Sequence, residues 1–341
     1  MFARRSSARG VPEKIEPLLE AALAARSSLL DERHESAIRL FNGFYEGAPD
    51  LAVDLYARTL VVHDYGDASF APSVQATIDF FRTRLSWLRT AIVKTRESEV
   101  TDERCGRLVF GDAPDREVVE HEVRYAIDLQ MNRDASLYLD TRRLRAWVHA
   151  RLRGRSLLNT FAYTGSIGVA ARAGGAADVV QLDRSDRFLN LARASYALNR
   201  IDAPDAEFCV GDFFKKVSHL KRTGRRFDCV VVDPPFFSSK ANATVDLASD
   251  SARLINKVRP LINDGGHLVA VNNALFVSGR EFYTALEKLC ADGYLSIAEM
   301  IPVPEDFTGF AATRRGEPVT DPAPFNHSTK IAVLSVRRKN P

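Results

Sequence analysis

The feature that most limits the fold is an alternation that begins near Asp134. Apolar, β-branched runs ("RSLLNTFAY", "ADVVQLD", "AEFCVGD", "FDCVVVD", "HLVAVNN", "LSIAEMIPV") alternate with segments of helical period at 140–153, 166–174, 185–200, 212–222, 245–262 and 279–291. Strands joined through helices run parallel, and burial on both faces explains why their apolar runs are unbroken. The last strand, "TKIAVLSV", departs from this rule, because only "EDFTGFAATRRGEPVTDPAPFNHS" precedes it, a stretch rich in Pro, Thr and Gly. Joined by a loop, it is expected to enter antiparallel to its partner. The expectation is an α/β, Rossmann-like seven-stranded sheet with six parallel strands and the last one reversed.

Ahead of that sheet the pattern is mixed. A long helix (Pro12 to about Glu32) leads to a strand pair ("AIRLFNGF", "LAVDLYARTLVVHDY"), a helix from about Pro72 to Thr90, and further strands ("AIVKTRE", "RLVFG", "HEVRYAIDLQ"). This predicts a small α+β domain over 1–133 and a larger domain over 134–341, a division that a length of 341 residues allows. With 27% charged and 45% apolar residues, the composition is that of a soluble globular protein. No window approaches the ~20 uninterrupted apolar residues of a membrane helix, so no membrane association is expected. The start "MFARRSSARG" has no apolar stretch behind it, which makes a cytoplasmic location the expectation. Cys105, Cys209, Cys229 and Cys290 are far apart and lack metal-ligand spacing, so neither disulfides nor a metal site is expected.

The net charge of +3 is mild, but it is clustered. Six arginines fall within Asp140 to Arg155, five basic residues within Phe80 to Arg96 and six within Phe214 to Arg226, enough to admit a polyanionic partner.

The chemistry is expected at the strand ends. The first strand of the large sheet runs into "FAYTGSIGVAARAGG". Glycine after a strand permits a tight turn and close approach to a ligand, and the following helix offers N-terminal N–H groups. The dinucleotide pattern GxGxxG is absent; Gly165 and Gly168 stand as GxxG, which disfavours a pyrophosphate cradle and leaves open a glycine that only turns the chain. Eighteen residues after Gly165, Asp183 ends the second strand, where a carboxylate can accept both ribose hydroxyls, and Ser185 reads as a helix N-cap. The third strand ends in "GDFF", where Asp212 can take an adenine amino group and Phe213 can stack on its ring. A nucleoside ligand without a diphosphate fits these ends, and S-adenosylmethionine (SAM) is such a ligand. Together with the reversed last strand, they favour a methyltransferase over a dehydrogenase.

At the fourth strand end, "VVVDPPFF", proline fixes φ and carries no N–H. Asp233, Pro234 and Pro235 therefore read as a rigid acceptor edge, and Phe236 as a flat surface for a planar substrate. A prolyl strand stop is the plainer alternative.

"LLNTFAYTGSIGVAA", "DRSDRFLNLARASYALN", "FDCVVVDPPFFSSK" and "DGGHLVAVNN" together resemble the class I SAM-dependent methyltransferases of the ribosomal RNA large-subunit group, the RlmI/RlmK/RlmL kind, as does the earlier "GFYEGAPDLAVDLY". The resemblance spans roughly residues 38 to 341. It implies a cofactor site built from Phe161, Ala162, Tyr163, Thr164, Gly165 and Ser166, then Asp183, Arg184, Asp212 and Phe213. "DASLYLDTRRLR" is similar to the family segment GxFLDxR and implies that Asp140 and Arg142 sit beside the methionine end of SAM; Ser136 stands where the family has glycine. An arginine fork suits that carboxylate.

Group members that make 5-methylcytosine carry a cysteine nucleophile in a "CS"-like segment after the fifth strand, whereas this chain has "VNN". Cys209 and Cys229 read as core residues. The Asn272–Asn273 pair and "EDF" (Glu305 to Phe307) look like the branch that methylates guanine on N7, with the asparagines either contacting the guanine edge or ending the strand in a turn. The expected reaction is direct attack by a base nitrogen of RNA, guanine in 23S ribosomal RNA, on the methyl of SAM. The target base must be unstacked. Arg82, Arg84, Arg89, Lys94 and Arg96 are candidates to hold phosphates. The loop from Thr308 to Ser328, with Arg314, Arg315 and His327, is placed to close over the site, although His327 reads as structural rather than as a base. A homodimer is compatible with the sequence. The alternatives are an N-methyltransferase of a protein or small molecule, a non-catalytic RNA-binding protein, and an NAD oxidoreductase, which the absent GxGxxG opposes.

Overall fold

A computed structural model describes residues 15–67, 71–235, 247–316 and 321–338, with the backbone alone at 247–250. The chain opens with α1 (Ile15–Arg26), β1 (Ala37–Asn42), α2 (Gly43–Glu46), β2 (Leu51–Tyr56), β3 (Thr59–Asp64), α3 (Ala71–Arg84), β4 (Thr90–Thr95), α4 (Thr101–Cys105) and β5 (Arg107–Phe110). Their five strands form one sheet in sequence order, antiparallel except for the β3–β4 pair, which is parallel because α3 crosses over between them. Leu19 of α1, Phe81 of α3, and Phe41, Val53 and Val62 of the sheet close the core of this unit.

Two expected strands are interrupted by hairpin turns. "LAVDLYARTLVVHDY" turns at Ala57 and Arg58, so that Tyr56 pairs with Thr59. The 121–130 segment supplies only the second arm of a hairpin, β6 (Glu117–Glu120) and β7 (Val123–Ala126), turning on His121 and Glu122. Ala57, His121 and Glu122 all have positive φ (53°, 51° and 64°). Hairpin turns need such angles and usually mark them with Gly or Asn; here neither marks the turn.

The second sheet follows the expected alternation: α5 (Arg142–Arg151), β8 (Ser156–Thr160), α6 (Ser166–Ala173), β9 (Asp178–Asp183), α7 (Asp186–Leu198), β10 (Phe208–Val210), α8 (Phe213–Arg222), β11 (Phe227–Val232), α9 (Leu247–Val258), β12 (Ile262–Asn272), α10 (Gly279–Cys290), β13 (Leu295–Met300), α11 (Glu305–Thr308) and β14 (Lys330–Val336). The strand order is β10-β9-β8-β11-β12-β14-β13. β14 is antiparallel to both β12 and β13, as the loop ahead of it required, and the remaining strands share one direction.

Side-chain alternation along β11 shows how the sheet is covered. Val230 and Val232 point into the layer of Val217, Leu254 and Leu286, while Cys229 and Val231 point into that of Leu144, Val148 and Ile167. The order of strands reverses between β8 and β11. Ligands in open α/β sheets bind beyond the carboxyl ends of the strands at such a switch, which sets the β8–α6 turn beside the end of β11.

Candidate functional site

The turn after β8 is backbone under constraint. Phe161 and Tyr163 both take left-handed φ (56° and 53°), followed by Gly165 at 72°. For aromatic residues this costs on the order of 1–3 kcal/mol each, so the surroundings must impose it. The Ala162 amide donates to Leu182 O (2.9 Å) and the Gly165 amide to Ala162 O (2.8 Å). The Thr164 hydroxyl donates to Ser136 O (2.5 Å), and the Tyr163 hydroxyl meets Asn132 and Ala135 O.

The glycines have a reason that the sequence did not show. A Cβ at Gly165 would lie 2.5 Å from Ala192 Cβ and one at Gly168 2.4 Å from Gln181 Cδ, so both are dictated by helix–strand packing on Gln181 and α7. Half-buried Ser166 opens α6.

Asp183 is held in one orientation. Its Oδ2 accepts from the Tyr163 amide (2.8 Å) and its Oδ1 from the Ser185 amide (2.9 Å). Burial raises its pKa above the usual carboxylate value, and these amides pull it back. Arg184 beside it is exposed, and Ser185 caps α7 as expected, accepting from the Phe188 amide.

Asp212 also has a structural task, since its Oδ1 caps α8 by accepting from the Lys215 amide (3.1 Å). Phe213 is 5% exposed, with its ring stacked on Phe161 at 4.7 Å and 21°. The flat surface expected of Phe213 is thus taken up inside the core, and the half-buried ring of the pair is Phe161.

At the end of β11, Asp233 is half-buried, Pro234 buried and Pro235 exposed; Phe236 lies outside the described residues. Burial, and then the charge of Asp140, raise the Asp233 carboxyl to about 7. Asp140 is itself pushed up by burial. Its Oδ2 accepts from the Thr329 hydroxyl (2.7 Å), but among the described residues its buried Oδ1 has no partner.

These residues fit a cofactor that carries a ribose, a flat base and positive charge. Asp183 is pre-oriented for a diol and Phe161 offers a ring. The orphaned Asp140 oxygen and the neighbouring Asp233 would both be stabilised by a sulfonium or ammonium group.

Arg142 departs from the expected role. Its guanidinium donates to Ala37 O (3.1 Å) and pairs closely with Asp306, which is 2% exposed. Asp306 in turn accepts from the Arg39 amide (3.1 Å), and its backbone carbonyl accepts from Arg26 (2.8 Å). Phe307 lies under the Arg39 guanidinium at 3.8 Å, and its carbonyl accepts from Asn42. "EDF" therefore joins the two sheets rather than facing a base, and Arg142 is engaged in that junction instead of being open to a cofactor carboxylate.

The same packing restrains the Thr308–Ser328 loop. The Arg315 amide donates to Tyr45 O (2.7 Å), the Thr313 hydroxyl bonds Glu46, and the Gly279 amide donates to Asp321 O (2.8 Å). Residues 317–320 of this loop fall outside the described part. His327 is buried between Tyr45 and Phe307, and its Nδ1 accepts from the Thr329 amide. Burial lowers its pKa to about 3, so it is a neutral structural histidine.

Asn272 accepts from the Ala274 amide (3.1 Å), the turn role, while Asn273 is exposed. Of the basic run, Lys94 is fully buried and donates to Asn132 O and Asp134 O, Arg96 pairs with Asp134, and Arg84 pairs with Glu20. Lys94 and Arg96 are thus held within the protein rather than open to phosphates, whereas the Arg84 pair lies at the surface.

Two residues near the site were missed. Tyr138 is 42% exposed, 5.3 Å from the Tyr163 ring and within the field of Asp233. Lys330 is fully buried and ties the turn after β12 to β14 through Ala274 O (3.0 Å) and Ser328 O (2.5 Å). Its pairing with Asn272 was the available signal, since a reversed last strand must start where the parallel strands end.

Comparison with known proteins accords with this geometry. The profile of a family described as S-adenosylmethionine-dependent methyltransferase matches residues 77–310. YwbD of Bacillus subtilis, provisionally described as a ribosomal RNA large subunit methyltransferase, is 28% identical over 309 residues, covering 87% of this chain and 76% of its own. Ribosomal RNA large subunit methyltransferase I of Tolumonas auensis is 27% identical over 321 residues, covering 93% and 79%. A Streptococcus mutans structure, provisionally described as a SAM-dependent methyltransferase, superposes with a TM-score of 0.80 at 20% identity over 97% of this chain and 84% of that one.

Proposed function

The chain belongs to the S-adenosylmethionine-dependent methyltransferase family, and from that premise we propose that it methylates a base nitrogen of RNA, guanine in 23S ribosomal RNA. The relatives named for the large ribosomal subunit support the substrate class. The observation that carries the chemistry is Asp233, a half-buried carboxyl fixed ahead of two prolines and beside Asp140.

When bound, SAM supplies an electrophilic methyl on a positively charged sulfur. Asp183, oriented by the Tyr163 and Ser185 amides, would hold the ribose, and Asp140, whose buried Oδ1 has no partner among the described residues, would stabilise the positive charge. Ionised Asp233 accepts hydrogens from the base and presents the ring nitrogen to the methyl. A nitrogen such as guanine N7 has an in-plane lone pair and no proton to remove, so alignment and fixed charge carry the rate, worth on the order of 7–11 kcal/mol.

No cysteine is placed to add to a pyrimidine. Cys229 pairs with Leu157, four residues and roughly 13 Å back along β11 from Asp233. Cys209 lies in β10, Cys105 closes α4 and Cys290 closes α10. Residues 134–341 are the catalytic domain, and residues 1–133 recognise RNA.

The test is to incubate the protein with labelled SAM and ribosomal RNA from cells lacking it, then identify the labelled nucleoside by mass spectrometry. N-methylguanine supports the proposal. Labelled 5-methylcytosine overturns the nitrogen assignment, and label in protein or small molecules overturns the RNA assignment.

A further inference from the structure

Three arginines on the N-terminal sheet line one pocket, and among the described residues none of them forms an ion pair. Arg33 precedes β1, Arg58 sits in the β2–β3 turn and Arg89 precedes β4, and together they line a pocket of about 310 Å³. The Arg89 amide donates to Arg58 O (2.9 Å), which fixes two of the three side by side. Next to Arg33, His34 stacks flat on Trp87 at 3.9 Å and 8°, a rigid aromatic wall at the pocket.

Two of the three acids that line this pocket, Asp115 and Glu117, are engaged by other groups. Asp115 accepts from the Arg58 amide (2.9 Å) and the Thr59 hydroxyl (2.7 Å). Glu117 holds Arg124, and Glu35 adds to the field there. Among the described residues, the guanidiniums of Arg33, Arg58 and Arg89 have no ion pair and donate no hydrogen bond. Arg33, Arg58, Arg89 and Arg124 against Glu35, Asp115 and Glu117 leave the pocket net positive, and planar guanidinium forks that lack an ion pair match phosphate oxygens.

We propose that this pocket is a phosphate-binding docking site for an RNA backbone, remote from the catalytic centre. The inference rests on the reading of RNA as the substrate. The remoteness follows from α7. The β6–β7 hairpin at the pocket meets the end of that helix, where the Arg124 amide donates to Asn199 (2.9 Å), whereas Asp183 lies ahead of its start. A helix of 13 residues spans roughly 20 Å. RNA held at both places is anchored several nucleotides away from the base that is methylated.

The experiment measures binding of the SAM-loaded full chain to large-subunit ribosomal RNA across a salt series, together with methyl-transfer kinetics. It compares wild type, the triple variant Arg33→Ala/Arg58→Ala/Arg89→Ala, the corresponding triple lysine variant, and Arg259→Ala as a control already paired with Asp292. Each phosphate contact contributes about 0.7–0.9 to the slope of log K against log salt. The triple alanine variant is expected to flatten that slope by about 2–3 and to raise KM for RNA more than it lowers kcat. The lysine triple and Arg259→Ala keep the wild-type slope. A triple alanine variant with the wild-type slope and KM overturns the docking site while leaving RNA methylation intact. A wild-type chain that binds no RNA overturns the substrate reading and this site with it.

Discussion

Asp233 at the end of β11 lies in the field of Asp140, ahead of α5, and the charge on Asp140 opposes the ionisation of Asp233. Two acids far apart in the chain thus share one low-polarity corner. A positively charged cofactor would favour the ionised form of both carboxyls.

A pH dependence follows. With the Asp233 carboxyl at about 7 before the cofactor binds and its ionised form the acceptor, kcat/KM is expected to rise with pH and level off, with a midpoint no higher than about 7 because the cofactor's positive charge favours the carboxylate. For stability the sign is reversed. The unfolded chain releases this proton near 3.8 while the folded chain keeps it until about 7, so this group's contribution to stability falls as pH rises across that window. Asp233→Asn is expected to lose the ascending limb of the rate profile and to unfold at a temperature no lower than wild type at pH 8. A melting temperature several degrees lower would count against the strained-carboxyl interpretation.

Arg142 and Asp306 are expected to matter for stability. Removing either partner leaves the other poorly compensated at the junction of the sheets, so Arg142→Ala or Asp306→Asn should cost roughly 3 kcal/mol in denaturant unfolding. The Kd for SAM should stay within about threefold of wild type in the same variants. An Arg142→Ala protein with normal stability and a Kd raised tenfold or more would return this arginine to the cofactor's carboxylate.

Thiols are not needed for transfer to nitrogen. A variant with Cys105, Cys209, Cys229 and Cys290 all changed to alanine is expected to retain methyl transfer within roughly an order of magnitude, its loss coming from the cavity left by buried Cys229. Complete loss of turnover in a folded variant would point to a cysteine nucleophile.

Gly165→Ala is expected to destabilise by roughly 2–4 kcal/mol, because the position is left-handed and the new methyl meets Ala192 and Gln181. Thermal unfolding of this variant reads the cost directly; a melting temperature equal to wild type would mean that the turn can relax.

The second sheet was legible because its signal is periodic. Val230 to Val232 can only be a strand buried on both faces, and the loop before Lys330 can only return a strand reversed. The hairpins at Ala57 and at His121–Glu122 were not legible, since positive φ was imposed there by the sheet on residues that do not advertise it. Of the proposed site residues, the positions of Asp183 and Asp233 at strand ends were legible from the pattern alone. The engagement of Arg142 by Asp306, the burial of Lys94 and the loss of Phe213 to a stack on Phe161 each depend on a contact distant in sequence. Arg89 was among the residues expected to hold phosphates, whereas Arg33 and Arg58 were not; pairing of β3 with β4 sets Arg58 beside Arg89, a contact distant in sequence.

The most direct measurement is single-turnover methyl transfer from pre-bound SAM to large-subunit ribosomal RNA, comparing wild type with Asp233→Asn at saturating RNA. We expect the asparagine variant to bind SAM within several-fold of wild type and to transfer the methyl at least about 100-fold more slowly, as loss of a positioned charged acceptor in a half-buried site requires. Transfer at the wild-type rate would contradict a role for Asp233 in presenting the base.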